Sequence, residues 1–247
     1  MLVLPDSHPQ DPPLDIAVSH ALLRRVAEGA QPATVRLYRP GPTLAFGRLD
    51  ERLPGFPAAR AAGVAHGFTP LLRLAGGHAA AYDDASLIYE ELVPTADGMT
   101  GMPARFTAGV AFLAGVLADL GVDARVGQIP GEYCPGAHSV SIGGRVKVVG
   151  TAQRVVRGAA MLSAVIVVGH GPAIRDVLVD AYRALDLDFT PSTAGALDDG
   201  APGLDPAAVA AGIERALAAR GDAPEPGALD AETLTAARAL RARHALG

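Results

Sequence analysis

The sequence predicts an α+β domain, a mixed or antiparallel sheet with packed helices. Three observations carry this. Helical and strand patterns interleave along the chain without strict βαβ alternation, which argues against a doubly wound sheet. Residues 160–168 form an apolar run interrupted only by Ser163, as in a strand buried on both faces. The pair Gly143-Gly144 divides two short strand-like segments, and glycine supplies the positive φ values of a tight hairpin turn.

The elements follow in chain order. Residues 1–13 are rich in Pro and Asp and read as irregular. Ile16, Val18, Ala21, Leu22 and Val26 fall close to helical spacing, so residues 15–30 read as a helix. Residues 34–38 and 43–46 read as strands joined by the turn Arg39-Pro40-Gly41-Pro42. A short helix is expected over 57–65, and strands 70–74 and 86–92 flank Gly76-Gly77. Residues 104–120 form an apolar helix that stops at Gly121, well placed as a C-cap. A strand over 122–126 precedes the hairpin of 139–142 and 146–149. After the buried strand come a helix over 172–185, a turn-rich loop over 188–203, and two Ala-rich helices over 206–220 and 231–244.

Composition narrows the function. Hydrophobic residues make up 49% of 247, enough for a sizeable core. The net charge is −5 with no basic cluster, so nucleic acid is not an expected partner. A single cysteine excludes an internal disulfide framework and fits a reducing cytoplasm. The first residues show no basic, apolar leader, and the longest apolar run, 159–169, is too short for a bilayer, so no membrane role is expected. The Cys and His spacing gives no zinc site, and no metal is expected from it.

Two stretches carry chemistry. GEYCPGAHSVSIGGRVKVVGTAQR, residues 131–154, holds the lone cysteine, Cys134, and a rare lysine, Lys147. Alternation puts Val146 and Val148 on one strand face and Lys147 on the other, with Ser139 and Ser141 as neighbours. A strand lysine more commonly meets solvent. Here Gly143, Gly144 and Gly150 leave the backbone bare near it, as where a ligand approaches closely, and Gln153 is spaced to face the same cleft. Cys134 sits among Gly and Pro, a loop setting for a nucleophile, although a lone cysteine is more often a small buried hydrophobe. An ammonium near it would lower the thiol pKa. The second stretch, LLRLAGGHAAAYDD, places Arg73 before Gly76-Gly77, where backbone N–H groups and a guanidinium can meet a carboxylate or other anion. Without more, such a pair is a turn. Walker A and G-x-G-x-x-G patterns are absent.

These segments resemble the biotin/lipoate protein ligase and octanoyltransferase superfamily. RLAGGHAAAYDD, residues 73–84, is similar to its R-x-x-G-G-x-A-x-x-H-D segment, and GRVKVVGTAQR to its G-x-K-x-x-G-(S/T)-A segment. PTLAFGR, residues 42–48, is like its strand ending in Gly-Arg, and the first helix is like its opening helix. The resemblance implies a biotin/lipoate ligase-like acyl-transfer fold with a lipoyl or octanoyl tunnel beside the glycine loop. It implies catalytic roles for Lys147 and Cys134, and a substrate site formed by Arg73, Gly76, Gly77, His78, Tyr82, Gly150 and Gln153. His78 stands where the family has a third glycine, and Tyr82 where it has a histidine.

The resemblance also implies a lipoate–protein ligase-like enzyme that attaches a lipoyl or octanoyl group to the lysine of a lipoyl carrier domain, with ATP and Mg2+. One branch carries a nucleophilic cysteine upstream of the lysine segment. The alternative is therefore an ATP-independent transferase working through an acyl-thioester on Cys134, with no cofactor. A non-catalytic relative that binds lipoyl-type ligands or carrier domains is the third reading. Expected partners are the lipoyl carrier domain of a 2-oxoacid dehydrogenase or glycine cleavage protein, and acyl carrier protein as a donor. Residues 1–190 are expected to form the catalytic domain, and 191–247 a helical extension packed on it.

Overall fold

The computed structural model describes residues 1–246. Its strands are β1 (Leu2–Leu4), β2 (Thr34–Tyr38), β3 (Thr43–Phe46), β4 (Thr69–Leu72), β5 (Ala80–Tyr82), β6 (Ser86–Pro94), β7 (Ala124–Val126), β8 (Val140–Ile142), β9 (Val146–Val156), β10 (Ala159–Val167) and β11 (Glu225–Pro226). Its helices are α1 (Pro12–Ala27), α2 (Phe56–Ala65), α3 (Met102–Asp119), α4 (Gly171–Leu185), α5 (Pro206–Ala219) and α6 (Ala231–Leu240). Among the described residues, a large mixed sheet runs β11-β1-β2-β6-β10-β9-β8-β7 and a small one β4-β3-β5. No helix among the described residues is long and apolar enough to cross a membrane.

The apolar run becomes β10, the centre of the large sheet, antiparallel to β6 on one side and β9 on the other. Alternation along β6 and β10 then assigns each face. Leu87, Tyr89, Ala164 and Ile166 pack toward Val110 and Leu113 of α3 and Val209 and Ile213 of α5. Leu92 and Met161 pack toward Leu22 and Val26 of α1 and Ala237 and Leu240 of α6. The small sheet has its own core, in which Phe46 meets Phe56 of α2 and Ile174 and Leu178 of α4.

Several expectations need correction. The first 13 residues are irregular only in part: Leu2–Leu4 pairs in parallel with β2, residues 5–11 form no helix or strand, and α1 starts at Pro12. Proline suits a helix's first turn because its φ is preset and its missing N–H would be unpaired there anyway. The segment Arg39–Pro42 does not fold two strands onto each other; it carries the chain from the large sheet to the small one. No strand is expected between 74 and 86, yet β5 forms there and pairs with β3 through Ala80 and Ala81.

A bulge on β9 shapes the region around Lys147. Val140 pairs with Val149 and Ser141 with Lys147, so Val148 is an extra residue. Both Val148 and Val149 consequently reach the α3/α5 core. The parity of the strand flips there, and Lys147 and Gly150 come to one face. A Cβ on Gly150 would lie 3.6 Å from Lys147 Cε.

A buried ionic network ties α1 to the sheet. Arg36, fully buried on β2, donates from Nη2 to Asp15 Oδ1 (2.5 Å) and from Nη1 to the Asp15 carbonyl (2.8 Å) and Ser19 Oγ (3.0 Å). Glu90 Oε2 lies 3.9 Å from the same guanidinium. Arg36→Met would leave two carboxyl groups buried without their cation. It is expected to lower unfolding free energy by about 3–5 kcal/mol in urea titrations. An unchanged midpoint would show that the network does not hold α1.

Candidate functional site

The loop between β7 and β8 is held in a conformation that costs energy. Cys134 has φ +43°, in the left-handed region disfavoured for residues with a Cβ. Its N–H donates to Tyr182 Oη (2.6 Å), which donates on to the Ala79 carbonyl (3.0 Å). From β9, Lys147 Nζ donates to the carbonyls of Tyr133 and Cys134 (2.9 Å each) and to Glu132 Oε1 (3.4 Å). Glu132 Oε1 also accepts from Gly136 N–H (2.9 Å) and Ser139 Oγ (2.8 Å). Burial, above all, pushes the Lys147 ammonium below the usual lysine range, and Glu132 only partly opposes this.

The thiol faces the glycine loop. Arg73 Nη2 lies 3.2 Å from Cys134 Sγ and also donates to the His78 carbonyl (2.6 Å). Burial pushes the thiol up. Arg73, then Lys147, then hydrogen bonds from Arg73 and the His78 backbone outweigh it, so the thiol sits below its ordinary value. Gly77 makes the approach possible. It has φ +97°, and a Cβ there would fall 2.3 Å from Arg73 Nη2 and 2.7 Å from Sγ. Gly47, just after β3, is equally constrained, since its Cβ would collide with the Gly77 carbonyl at 1.7 Å. Asp50 locks the two segments together by accepting from Gly47 N–H (2.9 Å) and bonding His78 Nδ1 (2.7 Å).

Sγ opens on a cavity of about 320 Å3 between α1, the small sheet and the β6-β10-β9 face. Its walls include Gly150, Val165, Ile88 and Ala80. At the rim, Phe106 of α3 stacks on His138 with ring centroids 4.5 Å apart.

Most of the expected residues converge here. Lys147, Cys134, Arg73, Gly76, Gly77, Tyr82, Gly150 and Gln153 all border the cavity. His78 does not; its ring turns onto Asp50. Gln153 is engaged with α3, bonding the Met102 carbonyl (2.9 Å) and Arg105 Nε (3.3 Å). Gly76 differs from Gly77, since a Cβ there would meet nothing within 4 Å. Sequence reasoning missed Glu132, which stands in the same loop as Cys134, and Asp50 and Tyr182, which reach the site from segments distant in the chain. It also missed a cluster at the start of α4, where His170 Nδ1 lies 2.8 Å from Asp83 Oδ2 and 3.8 Å from Asp84 Oδ1. A plain signal was available for Lys147: it is the chain's only lysine.

The fold, a mixed sheet packed with helices, is shared with lipoate–protein ligases of known structure. The structure of lipoate-protein ligase A bound with ATP superimposes with a TM-score of 0.79 at 18% identity, covering 98% of this chain and 94% of that one. The bi-partite lipoate protein ligase of Thermoplasma acidophilum gives 0.72 at 19% identity, over 98% and 91%. Residues 11–180 match the model of the lipoyl protein ligase A/B catalytic domain, and the chain belongs to that family. Among curated relatives, the octanoyl-[GcvH]:protein N-octanoyltransferase of Geobacillus kaustophilus is 30% identical over 169 residues, 68% of this chain and 59% of that protein. The enzyme of the same name from Oceanobacillus iheyensis is 31% identical over 141 residues, 57% of this chain and 50% of that protein. The chain thus matches only a little over half the length of these relatives.

Two outcomes test the geometry. Arg73→Gln removes the main cation from the thiolate, so the midpoint of Cys134 alkylation by iodoacetamide is expected to move to higher pH. An unmoved midpoint would show that Arg73 does not act on the thiol. Gly77→Ala is expected to slow alkylation by about tenfold or more, since the added methyl must displace the guanidinium or the thiol, whereas Gly76→Ala leaves the rate unchanged. Equal effects of the two would return the pair to plain turn duty.

Proposed function

We propose that the protein is a cysteine-dependent acyltransferase, moving a medium-chain acyl group of octanoyl type onto the lysine of a lipoyl carrier protein. The observation that carries this is the guanidinium-paired, pKa-lowered thiol at the head of the cavity. The names of the curated relatives supply the donor and acceptor classes: an octanoylated glycine-cleavage carrier, and a protein. The donor is then the carrier's acyl-lysine amide. Acyl carrier protein, with a thioester, is a second candidate donor.

The Cys134 thiolate attacks the acyl carbonyl carbon. A C–S bond forms, the donor's C–N bond breaks, and its lysine leaves as an amine after taking a proton. Lys147 is the acid for that step. Burial has raised its acidity, and it is bonded to the carbonyl of the residue that bears the thiol. In the second half the acceptor lysine amine attacks the thioester carbonyl. The C–N bond forms, C–S breaks, the thiolate returns to Arg73, and Lys147 regains a proton.

Nucleotide chemistry is not needed, and the residues fit a nucleotide phosphate poorly. The Glu132 carboxylate bonded to Lys147 would repel a phosphate brought to it. His78 fills the position of the family's third glycine and is bonded to Asp50. Residues 191–247 are taken as part of the same catalytic unit, since Ala194 bridges to Lys147 and His244 Nδ1 bonds the Leu72 carbonyl (2.8 Å).

With octanoylated carrier and no acceptor, intact-protein mass spectrometry is expected to show one acyl adduct on Cys134, released by hydroxylamine. Cys134→Ser is expected to form no adduct and to lose transfer, because a hydroxyl without a strong base is a much weaker nucleophile. Transfer from free acid and ATP by Cys134→Ser would overturn this reading in favour of ligase chemistry.

A further inference from the structure

An apolar tunnel for a plain alkyl chain would be apolar along its length. This cavity is not. Its sheet wall is built from cross-strand rows whose order is set by the register. The row nearest Lys147 along β9 is Tyr38, Ile88, Val165 and Gly150, and the next is Arg36, Glu90, Ser163 and Ala152. Glu90, Ser163 and Tyr38 all line the cavity, as does Ser19 of α1. Met161 follows in the row after.

These polar groups stand far from the thiol's anchor. The strand β6, which carries Glu90, is two strands from β9, about 10 Å, and the Glu90 row lies about 7 Å further along than the Gly150 row. Tyr38, on β2, is one strand more distant than Glu90. An acyl chain with its carbonyl at Cys134 would bring its other end to them.

They also have capacity left. Ser19 Oγ donates to Glu90 Oε2 at 2.5 Å, while Oε1 accepts only a long bond from Ser163 (3.4 Å). Ser163 Oγ accepts from no described residue. Tyr38 is 2% exposed, its ring stacked under Arg36, and its hydroxyl has no hydrogen-bond partner among the described residues. Buried polar groups are almost always partnered, so a hydroxyl left open onto a cavity marks where a ligand's partner belongs.

We propose that the cavity is built for an acyl group whose far end carries a neutral hydrogen-bonding group, a hydroxyl or an amide, and that Tyr38, Glu90 and Ser163 read it. Burial pushes the Glu90 carboxyl above the usual carboxylate range against the pull of Arg36, and pushes the Tyr38 phenol up as well. That favours a neutral end group over a cation. A methyl end would instead strip water from these groups and offer nothing in return. The inference rests on the transferase reading only for which end of the chain is held at Cys134.

The test uses binding, so that chemistry does not enter. Cys134→Ala protein is titrated calorimetrically with octanoate and with ω-hydroxyoctanoate. The hydroxy acid is expected to bind about tenfold more tightly. Tyr38→Phe and Ser163→Ala, each on the Cys134→Ala background, should narrow that preference. Glu90→Gln, which keeps a neutral hydrogen-bonding end, should retain it. Octanoate binding as tightly as the hydroxy acid, or more tightly, overturns the proposal. If the unsubstituted enzyme then still forms the octanoyl adduct on Cys134, the transferase reading stands alone. Failure of both acids to bind would overturn the acyl cavity itself, and the transferase reading with it.

Discussion

The Lys147 ammonium, 2% exposed, must replace the water it loses on burial, and it does so with the loop that carries the thiol. Two backbone carbonyls and a buried carboxylate are its only acceptors among the described residues. Removing any of them would leave a buried cation underpaired, which costs more than an ordinary hydrogen bond. The same bonds pin residues 132–134, so the left-handed backbone of Cys134 is tolerated and its side chain is aimed at Arg73. One charge–backbone cluster thereby fixes loop shape, thiol position and the local electrostatics together. Glu132 completes it by bonding Ser139 and Gly136, which closes the loop back onto β8.

The bulge at Val148 is what lets that cluster exist. In a regular strand, one of Val148 and Val149 would face the cavity, and Lys147 and Gly150 would lie on opposite sides. The extra residue buries both valines in the α3/α5 core and puts the lysine and the glycine side by side. Gly150 then leaves a space that a larger side chain would fill next to the lysine stem. Gly150 thus keeps the cavity open beside the lysine stem.

How far this was legible in the sequence depended on the range of the interactions. Strands 34–38 and 43–46 fall where composition places them, and the Gly143-Gly144 hairpin forms with φ +58° and +71°, because these depend on local propensity and turn chemistry. The side choice of Lys147 opposite Val146 and Val148 also followed from alternation. The strands β1 and β11 did not, since two or three residues show no period and exist only by pairing with partners far along the chain. In the site, the motif segments indicated Arg73, Cys134 and Lys147 but not that Arg73 would touch the thiol, a contact across 61 positions. His78 was expected to form part of the substrate site. Asp50, brought in by a tight turn after β3, holds it away instead. Gly76 and Gly77 looked equivalent in the sequence, and only the position of the thiol separates them.

The placement of charge bears on how a low-pKa thiol can stand beside a cavity with apolar walls. A thiolate in an apolar wall would be driven back to the thiol by desolvation. Here its partner is a guanidinium that stays charged when buried and offers several fixed donors, so Arg73 bonds Sγ and the His78 carbonyl from one nitrogen without following the acyl chain inward. A lysine in that position would have lost charge to burial, as Lys147 itself tends to do. The division of labour follows from that difference. The arginine draws the thiol below its ordinary range, and burial makes the lysine more acidic. On the far side of the cavity Arg36 plays the static part again, holding Asp15 and Glu90 so that a polar floor survives inside a hydrophobic layer. Arginines thus stand behind the thiol and behind Glu90, and the lysine whose acidity burial raises is bonded to the residue that bears the thiol.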